Sequence, residues 1–85
     1  SISAVEVGLD ADAATTSMLE AIPGVGSKAA WALVSTRARR ASKRKDAAAP
    51  LVPDIEAWFA DAGQRLPSDV DVHTVLRPGT WREVH

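Results

Sequence analysis

Apolar positions along this 85-residue chain fall into short clusters at helical spacing, separated by turns rich in proline and glycine. Met18, Leu19 and Ile22 mark one inward face, which predicts a first helix over 16–21 with Thr15 as its N-cap. A second helix is expected from about Ser27 to the region of Arg40, burying Ala30, Leu33, Val34 and the stem of Arg37 at i, i+3, i+4, i+7 spacing. The connector over 46–53 ends in Pro53, which suits a first helical position. A third helix then runs to Ala62, with Ile55, Trp58 and Phe59 inward and Gly63 as its stop. Ser68 with Asp71 resembles a capping box for a fourth helix carrying Val72, Val75 and Leu76, ended by Arg77-Pro78-Gly79. In the tail, Trp81 is expected to dock on the core.

The expected fold is therefore all-α, a small bundle of about four short helices. Its parts are an extended segment or linker at 1–8, a helical pair with a basic extension at 9–45, and two further helices with a tail at 46–85, completing the same domain. Val75-Leu-Arg-Pro78-Gly79-Thr-Trp81 faintly echoes Ala21-Ile-Pro-Gly24-Val-Gly26. A degenerate second hairpin and a plain helix C-terminus both fit, and the plain terminus is the favoured reading.

At this length one core gives modest stability, and 46 % apolar residues suit a folded chain. There is no cysteine to add disulfides or thiolate metal sites, which fits a reducing compartment and an expected cytoplasmic location. No apolar run approaches the roughly 18 residues of a bilayer span, so no membrane partner is expected. The chain does not begin with Met and is expected to be part of a longer protein. The net charge of −1 argues against a nucleic-acid partner until its distribution is considered. Six of the ten basic residues, Arg37, Arg39, Arg40, Lys43, Arg44 and Lys45, form one run after the second helix begins, and acids occupy the first 20 residues and the stretch beyond Asp54.

The segment between the first two helices carries the chemistry. Gly24 and Gly26 can take positive φ or admit another backbone closely, and Pro23 ends the first helix. The first N–H groups of the second helix lack helical acceptors and sit at its positive dipole end, a seat for a phosphate.

This string resembles the helix-hairpin-helix motif of non-sequence-specific nucleic-acid-binding proteins. Leu19, Ile22, Pro23, Gly24, Val25, Gly26 and Ala30 fill its fixed positions, and Lys28 holds a position that is frequently Lys. Asp12-Ala-Ala-Thr15 is similar to the Asn-Thr-Ala-Ser lead-in of competence DNA receptors, and comparable hairpins occur in the tails of some radical-SAM proteins. The resemblance covers roughly 9–34. It implies that backbone N–H groups of Gly24, Gly26 and Lys28, in the loop that includes Val25 and Ser27, hold phosphate oxygens while the Lys28 side chain adds charge. It also implies a monovalent cation, the only cofactor expected, held by the carbonyls of Glu20, Ile22 and Val25. Trp31 and Ala32 stand where relatives often place further Lys or Arg, which shifts the charge contribution to the run 37–45.

The expected function is that of an accessory domain gripping the DNA or RNA backbone, most readily DNA, without reading sequence. The alternative is a protein-interaction or oligomerisation module built on the same hairpin, and the oligomeric state is open. A third reading is a substrate-delivering fragment of an enzyme. Trp31, about 100° around the helix from Ala30, either packs against helix three, the favoured reading, or stacks on an unpaired base. Asp69, Asp71 and His73 read as helix-start residues rather than metal ligands, because Asp71 points away from the other two and His85 stands apart at the terminus. No catalytic residues and no metal site are expected.

Overall fold

The computed structural model describes residues 8–81. Apart from Gly8, the extended segment expected at 1–8 lies outside the described residues, as do tail residues 82–85 with His85. The described residues form a small, mostly helical globule of four helices and one tiny sheet. In order these are β1 (Leu9–Asp10), α1 (Thr16–Glu20), α2 (Ser27–Lys43), α3 (Ile55–Asp61), α4 (Val72–Val75) and β2 (Leu76–Arg77).

The four helices agree broadly with the all-helical expectation, to which the structure adds one small sheet. β1 and β2 pair in parallel, with Leu9 opposite Leu76 and Asp10 opposite Arg77. Leu76 leaves the helical path to bury its side chain in this ladder, so α4 is a single turn. The segment echoing the hairpin accordingly contains a strand, not a second turn between helices.

One core joins the elements, with Leu19 and Ile22 from the first hairpin arm, Ala30 and Leu33 from α2, Trp58 and Phe59 from α3, and Leu76 among its buried members. Ala30 is fully buried and lets α1 and α2 approach closely. The Trp58 and Phe59 rings meet edge to face at 5.9 Å. The buried Trp58 indole N–H donates to the Leu33 carbonyl at 2.9 Å, which fixes α3 across the middle of α2 and satisfies the one polar atom of that ring.

Asp12, in the segment before α1, closes the fold. Its carboxylate accepts the backbone N–H groups of Leu51 at 3.0 Å and Val52 at 2.9 Å. The Gly79 N–H in turn donates to the Val52 carbonyl at 2.7 Å. A Cβ at Gly79 would lie 2.1 Å from Asp12 Oδ1, so only glycine allows this three-segment junction.

Helix ends match expectation at Thr15, which caps α1, and at Gly63, which follows α3 with φ +70°. Elsewhere they differ. Met18 faces outward, because its sulfur accepts the Thr15 N–H at 3.5 Å and completes a capping box with the Thr15 hydroxyl. Pro53 precedes the helix rather than opening it, since Asp54 is the N-cap and accepts the N–H groups of Glu56 and Ala57. Ser68 caps nothing. Asp71 caps α4, accepting the His73 N–H and the Thr74 hydroxyl. Trp81 is 69 % exposed and does not dock on the core.

Candidate nucleic-acid interface

The turn between α1 and α2 is built from the inside. The Ile22 N–H donates to the Leu19 carbonyl and the Val25 N–H to the Ile22 carbonyl, both at 3.0 Å, while Ile22 and Val25 bury their side chains. Pro23, Gly24 and Gly26 are left on the outside. Of the carbonyls expected to hold a cation, that of Ile22 already accepts one N–H. Those of Glu20 and Val25 accept none among the described residues.

The two glycines differ in kind. Gly24 has φ +92°, and a Cβ there would lie 2.9 Å from Pro67 Cβ, so the turn itself demands glycine. Gly26 has φ −85°, an ordinary value, and a Cβ there would meet nothing within 4 Å. Nothing among the described residues requires glycine at this position.

Gly26 is also the N-cap of α2, and it supplies no side-chain cap. Each of the other three helices has one, from Thr15, Asp54 or Asp71. No acid occupies the first turn of α2. The N–H groups of Ser27, Lys28 and Ala29 therefore have no acceptor among the described residues and face the positive end of the dipole of a 17-residue helix. Lys28 is exposed beside them.

The structure divides the basic run into two sets. Three arginines serve the fold. Arg37 Nη1 donates to the Ala11 carbonyl at 2.8 Å, Arg40 Nη1 to the Leu51 carbonyl at 2.9 Å, and Arg44 Nη1 to the Ala49 carbonyl at 3.0 Å. Arg40 also forms an ion pair with Asp61. Burial lowers the Arg37 pKa from its ordinary value, and the nearby Asp12 and Asp10 carboxylates oppose that shift. The guanidinium stays charged, pinning α2 to the segment that carries Asp12. Lys43 and Lys45 have no such partner among the described residues, and Arg39 bonds only to the Thr36 hydroxyl at 3.1 Å. Arg39 and Lys43 share a shallow depression of about 310 Å³ with Thr36, Arg40 and Asp61.

This division makes a prediction about stability. Replacing Arg37 by Met keeps the stem but removes a charge-assisted hydrogen bond, and is expected to cost about 1–2 kcal/mol. In thermal unfolding that is a drop of roughly 5–10 °C. Lys45→Ala, which touches no partner, is expected to leave the midpoint unchanged. Equal shifts in the two variants would show that Arg37 is not a brace.

Trp31 is the largest departure from expectation on α2. It does not pack against α3 but stands 68 % exposed. Asp71 is accounted for by its cap, and His73 faces Glu56 at 3.4 Å on the surface. Among the described residues no helix is long and apolar enough to cross a membrane. Comparison with protein-family models, with curated proteins and with solved structures found no match to this chain.

Proposed function

We propose that this chain is an accessory domain that binds the sugar–phosphate backbone of nucleic acid, DNA foremost, without reading base sequence. One observation carries the reading: the longest helix among the described residues begins bare, at a glycine that no described neighbour requires, with Lys28 beside its free N–H groups. A phosphate oxygen placed there accepts those N–H groups and meets both the dipole and the lysine. The hairpin motif points the same way, because its second glycine is where a backbone from outside would approach. Arg39, Lys43 and Lys45 continue the cationic surface, while Arg37, Arg40 and Arg44 hold the scaffold. Along all of α2 there are five cations (Lys28, Arg37, Arg39, Arg40 and Lys43) and no acid, so the net charge of −1 does not describe this face. The domain positions a strand and leaves chemistry to the rest of a larger protein.

Fluorescence anisotropy on labelled DNA across a salt series tests this. With the four cations of this face, Lys28, Arg39, Lys43 and Lys45, the log–log slope of affinity against salt is expected at about −3 to −4 for duplex. Replacing Lys28, Arg39, Lys43 and Lys45 by Ala is expected to flatten that slope and leave thermal stability nearly unchanged. Absence of binding by the wild type at low salt overturns the reading. A mass that rises with concentration would instead support the interaction module.

A further inference from the structure

We propose that Trp31 is a stacking platform for an unpaired base, making single-stranded nucleic acid the preferred substrate of this face. The inference rests on the backbone-binding reading above.

Tryptophan is rarely left in water without cause, and Trp31 is 68 % exposed in the first turns of α2 rather than on a tail. Its neighbours on the helix surface are set by geometry. Lys28 lies three residues before it, beside the bare N-terminus, so the indole is the next side chain along from the phosphate seat. In the other direction Trp31, Ser35, Arg39 and Lys43 follow one another at i+4 spacing, a slowly turning stripe about 18 Å long. With Lys28 ahead of it, the stripe sets a flat apolar ring between one cation on the N-terminal side and two, Arg39 and Lys43, on the C-terminal side.

That alternation matches a single strand, in which anionic phosphates flank a base with a free π face. In a duplex the same faces are already stacked on one another and only the backbone and groove edges are presented. An indole beside the phosphate seat therefore has a stacking partner in the unpaired strand alone, and the contact is indifferent to base identity. The absence of any acid on α2 favours a polyanion over an acidic or neutral partner for this face.

The test compares wild type with Trp31→Ala, Trp31→Phe and Trp81→Ala by anisotropy, on an oligothymidylate and on a duplex of equal length. Trp81 is equally exposed but lies off α2, which makes it the control for a generic surface indole. Trp31→Ala is expected to weaken oligothymidylate binding by about tenfold and to leave duplex binding unchanged. Trp31→Phe should keep most of the affinity, and Trp81→Ala all of it. Unchanged single-strand binding by Trp31→Ala, or equal weakening on both probes, overturns the stacking role while leaving backbone binding intact. A wild-type dimer abolished by Trp31→Ala, with binding unaffected, assigns the indole to a second copy and also overturns it. Failure of the wild type to bind either probe removes the backbone reading and this inference with it.

Discussion

Trp58→Ala is expected to remove a large part of the stability of this domain. The indole is fully buried, packs edge to face on Phe59 and donates its only N–H to the Leu33 carbonyl in the middle of α2. Truncating a buried tryptophan to alanine costs about 3–5 kcal/mol through lost transfer energy and the cavity left behind. A domain of this length holds only about 4–13 kcal/mol in total. The thermal midpoint should therefore fall by more than about 15 °C, and at the low end of that range no cooperative transition remains. Trp58→Phe keeps much of the apolar volume but loses the hydrogen bond, and should lie between the two. A shift of only a few degrees in Trp58→Ala would mean that α3 is not held against α2 as described.

The hairpin arm was legible because its signals are local. Thr15 before an apolar cluster, Pro23 and Gly24 at a turn, and Gly63 after the third helix each act on their own few residues, and the structure places each in that role. Trp58 and Phe59 were legible as core for the same reason, being large apolar residues at helical spacing. What escaped is long-range. Strands of two residues carry no periodicity, and Leu76 continues a helical pattern until its pairing with Leu9, far away in sequence, draws it out. Asp12 reads as part of a lead-in to the hairpin, whereas its carboxylate spans to Leu51 and Val52.

The candidate site shows the same limit. A run of cations reads as one electrostatic feature, but a guanidinium also has a fork of donors that seeks carbonyls. Arg37, Arg40 and Arg44 find them, and only the contact partners separate these residues from Lys43 and Lys45. Trp31 and Trp81 were expected against the core because apolar character alone does not say which side of an element meets it. On α2 the buried side is set by Ala30, Leu33 and Thr36, and Trp31 falls on the other side.

Gly26→Ser separates the hairpin's part in binding from its part in folding. Gly24 cannot serve for this, because any side chain there is strained at φ +92° and strikes Pro67. At Gly26 a serine fits the backbone and meets no neighbour. Its hydroxyl can accept the N–H of Lys28 or Ala29, capping the helix and adding a few tenths of a kcal/mol to stability. The same hydroxyl takes away the donors a phosphate would use and fills the space through which it would approach. The measurement is the affinity of Gly26→Ser and wild type for labelled DNA at low salt, with thermal unfolding recorded on both. Backbone binding by the hairpin predicts an equal or higher midpoint together with about tenfold to hundredfold weaker binding, the loss expected for charge-assisted hydrogen bonds. Wild-type affinity in the capped variant would contradict it.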